Sequence, residues 1–592
     1  MLIDAQSLQS GEITKDVCII GAGPAGITLA REFINEHLDV AIIESGGFEF
    51  DSKAQSLADG PTYGDIKPSI DVNRRQFGGN SNVWHIGFGP GEIGVRHALF
   101  DETDFLRRDW VPNSGWPFCR DHLIPCYKRA QVVCNAGPFS YSADDWENKL
   151  IQRWSLSNTE LDTGIFQFSA SNVFHKIYKD ELIAAKNVTL YIHASANKLI
   201  TDSSGETVDK VKLAHSGEKN IYLFAKVFIL ATGGFENAPL LLMSNQHEVA
   251  GLGNQHDVVG RYYHDHLQGQ SGYLTPGDSQ LLNRAALYDL RQIDGASVMG
   301  YLKLSKAVME KEKLLNINCF LYPRPNHRHS LAIDSFNALR QENLFSKSHS
   351  EVVSVFPKST KARHLLNAVI GSNYVVKMAY LARTKQQATS YGLGNGGWSQ
   401  LRNLHQKFTR FEVWHSIEQS PHPHNRVKLD RERDIYGAPK LEVYWHWSLG
   451  DINQTLRAQH VIARELAHAG LGKLHLEHDP NGLPNIVRPA RSHHLMGTTR
   501  MHADPKFGVV DAECRVHGMN NLFVAGSSTF PAGGYANPTL TIVAMALRLA
   551  DLIQHALNAQ TVASGLFDLK IDPVRAEQIE VFSECAPGSA AD

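Results

Sequence analysis

The chain is short of the features that would sort it at a glance. Its 29 histidines never fall into an HExxH pattern, so the commonest zinc-hydrolase site is excluded. The cysteines Cys18, Cys119, Cys126, Cys134, Cys319, Cys514 and Cys585 never form CxxC, which argues against a redox dithiol or a zinc ribbon. Their odd number fits free thiols in a reducing compartment. Net charge is also lacking: −3 over 592 residues, with a pI near 6.9, gives no electrostatic footprint for nucleic acid. Met1 to Lys15 contains no apolar core of a signal peptide. No uninterrupted apolar run suits a bilayer span. Phe224 to Met243 comes nearest, and Thr232, Gly233, Gly234, Glu236 and Asn237 break it. The expectation is a cytoplasmic protein with no metal, no membrane span and no nucleic-acid partner.

What is present begins near the N-terminus. Asp16–Ile20 is a short apolar run suited to a strand buried on both faces. Gly21-Ala-Gly-Pro-Ala-Gly26 follows, then a helix-like segment from Ile27 to Glu36 and a second strand, Val40–Ile43, ending at Glu44. This is the strand–turn–helix–strand setting that a GxGxxG dinucleotide motif requires. Gly21 permits the tight turn, Gly23 the approach of backbone to pyrophosphate, and Gly26 the packing of helix on strand. Ala25 lies at the helix N-terminus, whose free N–H groups attract phosphate. Glu44 is placed to accept ribose hydroxyls and disfavours a 2′-phosphate, so NADP is not expected. The motif alone does not choose between NAD and FAD. A second fingerprint, usual in flavoproteins that also bind NAD(P)H, is absent.

Other small-residue turns extend this reading. Phe77-Gly78-Gly79-Asn80-Ser81-Asn82-Val83-Trp84 can press its backbone against a flat ring or a phosphate, although a plain loop also explains it. Asn187 to Leu199 reads as a strand leading into a turn, with Ala196 a cofactor contact. Val227–Leu230 reads as a buried strand that ends in Ala231-Thr232-Gly233-Gly234, with a helix from Asn237 to Met243. The nucleotide domain is therefore expected to be discontinuous.

The C-terminal region is the densest in motifs. His493-His494-Leu-Met-Gly497-Thr498 precedes a strand at Asn521–Ala525, the turn Gly526-Ser527-Ser528, and Asn537-Pro538-Thr539 before an apolar helix at Ile542 to Gln554. Asn is a favoured N-cap and Pro a favoured first helical residue, so Asn537 is expected to start that helix. Capping alone would account for Asn537; a role beside a reduced flavin would use the same helix dipole.

The combination of His494-x-x-Gly497-Thr498, a later Asn537 and the N-terminal fingerprint resembles the glucose–methanol–choline (GMC) oxidoreductase family. Within it the phrases HHLMGTTRM and NPTLT are similar to the bacterial sugar-oxidising branch, of the pyranose oxidase, glycoside 3-oxidase and paromamine 6′-oxidase type. The resemblance covers roughly half the chain. It implies FAD, held by Gly21, Gly23, Ala25, Gly26, Glu44, Gly78, Gly79, Asn80, Ser81, Asn82, Ala196, Ala231, Gly233, Gly526, Ser528, Pro538 and Thr539. It implies oxidation of an alcohol, on a sugar or glycoside, with His494 as base and Asn537 as the hydrogen-bonding partner of the alkoxide. His493 is the alternative base. A lyase or photo-decarboxylase on the same fold, or a polyketide or terpenoid alcohol as substrate, are the competing readings. The electron acceptor is O2 or another oxidant.

Three departures from the family pattern stand out. Val83 occupies the place where pyranose 2-oxidases attach flavin through histidine, so FAD is expected to be noncovalent, with His85 the lesser alternative. Gly526 replaces an aspartate, leaving pyrophosphate to backbone groups and Ser528. Asn237-Ala238 replaces a Thr-Pro or Ser-Pro pair.

The fold class expected is an α/β FAD-binding Rossmann-like domain, with an α+β substrate domain built on a large antiparallel sheet. The first takes 1–99, 187–266 and 486–560, the second 100–186 and 267–485, and 561–592 is a tail. Strands are expected at Gln268–Leu274, Val298–Leu304, Phe411–Glu418 and Arg426–Leu429, in a six-stranded roof over the flavin. The segment 326–395 reads as helical, with an apolar helix from Leu366 to Ala382, acting as a lid, a homo-oligomer contact or a hydrophobic entrance. Trp414, His415, Trp445, His446 and Trp447 suit stacking on a sugar or, equally, a sheet core.

Overall fold

Two large sheets share the chain. The computed structural model describes residues 1–65, 73–84, 86–89, 92–156, 160–214, 219–324, 396–479, 481–485 and 494–562, with short pieces between 331 and 376. Most of 326–395, the apolar segment beyond Val376, His85, His493 and the tail from 563 onward lie outside the described residues.

The first sheet has eight strands. Its order is Leu2–Asp4, Val188–Ile192, Val40–Ile43, Gly11–Ile20, Ile221–Leu230, Val208–Ala214 and Ser195–Thr201, with Leu522–Val524 also pairing Ile221–Leu230. The pairs from Leu2–Asp4 through Ile221–Leu230, and Leu522–Val524, run parallel. Uninterrupted apolar runs explain this. Val17–Ile20 and Val40–Ile43 are buried on both faces, as parallel strands must be. The glycine-rich turn enters a helix at Pro24, earlier than Ile27, and the helix spans Pro24–Glu32. Proline at the first position suits a helix start, because its missing N–H would be unpaired there anyway. Strands drawn from 2–43, 188–230 and 522–524 thus build one sheet.

The second sheet is antiparallel. Its order is Gly472–Leu476, Leu267–Pro276, Arg410–Ile417, Ile317–Arg324, Ala296–Leu304, Leu161–Ala170, Glu92–His97 and Ile86–Gly89, with Arg291–Ile293 on Ala296–Leu304. It has nine strands rather than six. Arg426–Arg433 is not among them; it pairs with Pro439–Trp445 in a three-stranded sheet completed by Thr62–Gly64. The aromatic residues near it also separate. Trp445 and His415 are fully buried, Trp414 is partly buried, and His446 is exposed and faces Asp65.

The last helix spans Thr539–Val562 and packs on Pro24–Glu32 and Ile124–Val133. Ile542 donates its N–H to the Pro538 carbonyl, so Pro538 is the cap and Asn537 precedes it. The expected cap residue, Asn537, thus stands one position before the cap. Among the described residues this helix, and not 224–243, is the segment most like a membrane span. Thr539–Leu557 has mean hydropathy 1.4, and 61% of that window is buried within the protein. Residues 224–243 instead divide between a strand and the helix Gly233–Met243.

Candidate active site

The glycine-rich turns converge on one cavity. Gly21, Gly23, Ala25, Glu44, Gly79, Asn80, Ala196, Ala231, Gly233, Gly526, His494, Asn537, Pro538 and Thr539 all line it. Its wall is closely fitted in some places and open in others. A Cβ on Gly21 would lie 2.5 Å from the Ala231 carbonyl oxygen, so this turn is pressed against the neighbouring strand end. A Cβ on Gly26 would run into the Gly21 carbonyl, which holds helix against turn. A Cβ on Gly23 would meet nothing nearer than 4.0 Å, and one on Gly526 nothing at all within 4 Å. Those two glycines leave bare backbone facing open space, as a cradle for a pyrophosphate does.

Glu44 is buried beneath this cradle. Its Oε2 accepts from the Ala22 N–H at 3.0 Å and its Oε1 from the Gly46 N–H at 2.9 Å. Burial raises its pKa, while the two backbone bonds, the charge of Arg75 and the Ser45 hydroxyl oppose the rise. Arg75 forms an ion pair with Glu236 at 2.5 Å on the cavity wall. Asn73, Arg74, Arg75 and Glu236 line the cavity without having been read from the sequence as cofactor contacts. The adjacent cations Arg74 and Arg75, just before the glycine pair, were the available signal.

Five expected cofactor contacts do not reach the wall. Gly26 acts through packing, as above. Gly78 adopts φ +93 and starts the short turn that follows. The Ser81 hydroxyl donates back to the Gly78 carbonyl at 2.7 Å, and the Asn82 amide donates to Phe77 and Gly79 carbonyls, both at 2.9 Å. These side chains hold the turn in shape. Ser528 is the clearest correction. It is fully buried, and its Oγ is bonded to Asn237 Nδ2 at 2.8 Å and Thr499 Oγ1 at 2.7 Å. It braces the wall and is not placed for a phosphate. Asn237, the departure from the family pattern, accepts from Thr232 N and donates to Ser528, so it ties the 231–234 turn to the 526–528 turn.

His494 and Asn537 come together, 43 residues apart in sequence, with Asn537 Nδ2 3.0 Å from His494 Nε2. Both are buried. The residue missed is His266. Its Nδ1 is 2.9 Å from His494 Nδ1, and its Nε2 is 3.0 Å from the Gly533 carbonyl oxygen. Burial pushes its pKa down to about 3. Asp265 Oδ1 accepts the backbone N–H of His266 at 2.7 Å and that of His494 at 3.2 Å, which fixes the two residues relative to one another. His264 and Met496 exchange backbone hydrogen bonds in the same place. The sequence offered only an unremarkable His-Asp-His before a strand, at the expected boundary between domains.

The loop carrying Asn537 is held from behind. Trp116 Nε1 donates to the Ala532 carbonyl at 3.2 Å, and the Tyr535 and Tyr301 hydroxyls are 2.9 Å apart. Gly534, at φ +52, leaves room for the Asp104 carboxylate, which any Cβ there would strike. Among the described residues no cluster could hold a metal ion.

Residues 421–546 match the family model described as GMC oxidoreductase. The chain is 34% identical over 152 residues to the fructose dehydrogenase large subunit of Gluconobacter japonicus, a match covering 25% of this chain and 26% of that protein. It is 34% identical over 143 residues to paromamine 6′-oxidase of Streptomyces fradiae, covering 24% and 25%. It is 33% identical over 142 residues to C-glycoside 3-oxidase of Arthrobacter globiformis, covering 24% and 26%. The chain thus spans about a quarter of the length of these curated relatives. The family match contains both His494 and Asn537. Over residues 421–546 the chain carries the C-terminal domain of the GMC oxidoreductases.

Proposed function

We propose that this protein is an FAD-dependent oxidoreductase that converts an alcohol of a sugar or glycoside to the carbonyl. The observation that carries the reading is the His494–Asn537 pair on the wall of a cavity otherwise built as a dinucleotide cradle. The relatives named for sugar and glycoside oxidation support the substrate class. FAD suits the cradle: Gly23 and Gly526 offer open backbone, and Glu44 offers a buried carboxylate for ribose.

Oxidising a CH–OH group removes a proton and a hydride. FAD, when bound, supplies the hydride acceptor. The protein's part is the proton and the oxygen. His494 Nε2 takes the hydroxyl proton, which makes the adjacent C–H hydridic. In the structure the Asn537 amide rests on that nitrogen. An entering hydroxyl displaces it, donates to Nε2, and accepts the freed N–H on its oxygen. Asn537 then stabilises the alkoxide where charge develops. The N-terminus of the Thr539–Val562 helix adds a partial positive charge beside the pair.

Val83 lines the cavity and has no nucleophile, so FAD is held noncovalently; acid precipitation should release the flavin into the supernatant. Six described cysteines are free, which suits a reducing, cytoplasmic compartment. The test is anaerobic bleaching of the flavin absorbance by a panel of sugars, glycosides and terpenoid alcohols. Bleaching by a sugar supports the reading. Bleaching by none of them sinks it. Repeating the positive case with O2 and with an artificial acceptor identifies the oxidant.

A further inference from the structure

We propose that His266 is a positioning residue that fixes the tautomer of His494 and so makes Nε2 its basic atom. The proposal rests on the reading of His494 as the base. It is argued from the direction of a hydrogen-bond chain, which begins at a group that can act in only one way. The Gly533 carbonyl accepts and cannot donate. His266 Nε2, 3.0 Å from it, must therefore carry hydrogen. Two acceptors facing one another at that distance would repel.

The rest of the chain follows. Burial keeps His266 neutral down to about pH 3, so with Nε2 protonated its Nδ1 is bare. That nitrogen lies 2.9 Å from His494 Nδ1, which must donate to it. A neutral His494 with hydrogen on Nδ1 has a lone pair on Nε2. Asn537 Nδ2, 3.0 Å away, donates there, so every link in the chain is satisfied. Reversing His494 would put N–H against the Asn537 amide and leave two bare Nδ1 atoms facing each other. The orientation of His266 is itself well held. Asp265 fixes both histidine backbones. A side chain on Gly533 would strike Met496 Sδ at 2.6 Å, so the bare glycine lets the carbonyl approach.

The chain has a second consequence. It ends on a peptide carbonyl, which cannot take a proton onward. His266 therefore holds His494 and does not conduct. The proton collected at Nε2 leaves through the cavity. While it is there, the Nδ1–H bond to His266 is charge-assisted and stronger. The charged or titratable groups facing His266 are His494, Asp265, His264 and Arg96. His264 is itself neutral to about pH 4 because of burial.

Two substitutions separate the functions of the His266 ring. In His266→Gln the amide nitrogen can still reach Gly533, but with it there the amide oxygen no longer stands where Nδ1 did, so His494 loses its acceptor. In His266→Asn the side-chain oxygen stands near the former Nδ1 and keeps the acceptor. In the flavin-loaded enzyme, His266→Gln should lower kcat about 10²-fold, the scale of a misplaced general base, with KM within about twofold. Its acid limb in kcat/KM should move to lower pH, because the imidazolium has lost its acceptor. His266→Asn should recover kcat to within about tenfold of the parent. Side-chain ¹⁵N spectra of histidine-labelled enzyme, with His494 assigned by difference against His494→Asn, should show His494 protonated at Nδ1 and bare at Nε2. That measurement needs no turnover, so it stands even if every alcohol fails to reduce the flavin. A His494 protonated at Nε2 in the parent overturns the proposal. So does a His266→Gln enzyme with parental kcat and pH profile, or equal losses in the Gln and Asn variants.

Discussion

The cavity wall is made of two materials. Around Gly21, Gly23, Gly79, Gly233 and Gly526 it is bare backbone, backed by strands and helix ends of the parallel sheet. Around His494 and Asn537 it is side chain, held by a third side chain, His266, that does not line the cavity itself. Backbone binds by shape and by N–H groups, so its tolerance is set by what a Cβ would strike. The imidazole wall depends on which atom carries hydrogen, and no change of volume is needed to ruin it. The two parts should therefore fail differently: the cradle by losing flavin, the histidine wall by losing turnover while flavin stays.

The sharpest break in that comparison is His494→Ala. It removes the proposed base and leaves the cradle intact, so kcat should fall toward the upper end of about 10²–10⁴-fold with flavin content unchanged. Stopped-flow reduction and the flavin-to-protein absorbance ratio read both halves. Loss of flavin with loss of activity would merge the two regions. Asn537→Ala comes next. It removes one donor to the developing alkoxide, at a cost of about 10²-fold in the rate of flavin reduction. Glu44→Gln probes the other material. A neutral amide cannot accept from both Ala22 and Gly46, and it faces ribose with one acceptor instead of a carboxylate. Flavin retention should weaken by about tenfold, roughly one charged hydrogen bond, while the reduction rate of enzyme that keeps its flavin is unchanged. A changed reduction rate would break the division.

The same contrast explains what could be read from the sequence. Cradle residues lie in short local phrases, because a backbone turn must be made by neighbours. Gly21 to Gly26, the 231–234 turn and Gly526 were legible for that reason, and the structure gathers their turns around one cavity. Ser528, Ser81 and Asn82 bond within the turns instead of lining the cavity, because small polar residues beside a turn serve the turn as readily as a ligand. Asn537 was read both as the alkoxide's partner and as a helix cap, because Asn-Pro fits that second role; the helix starts two residues later and the amide turns to His494. His266 was invisible. It is 228 residues from its partner, and no local pattern marks a histidine that meets another so far along the chain. The large sheet was undercounted because Glu92–His97 lies in the stretch assigned to the cofactor domain and Leu161–Ala170 in a stretch where no strand was named, and Arg426–Arg433 joins a separate ribbon.

The smallest effect concerns how many protons the histidine wall counts. It contains two imidazoles in contact, and two groups near 6.5 would give an acid limb of slope two. Burial has taken His266 to about 3, so one proton should control kcat/KM, with slope one above roughly pH 4. The fold complicates the low end. His97, His264 and His415 are also buried, and burial holds each of them at about 4. Unfolded, each would titrate near the ordinary value of about 6.5, so between these values the unfolded chain binds more protons than the native one. Stability is therefore full above about 6.5 and declines as pH falls toward 4. Denaturant midpoints measured from pH 8 to pH 4 should fall across that window, and rates should be taken from enzyme returned to pH 8 without loss. A slope of two in the reversible range would mean that His266 titrates with His494, and the division between a holding histidine and a reacting one would fail.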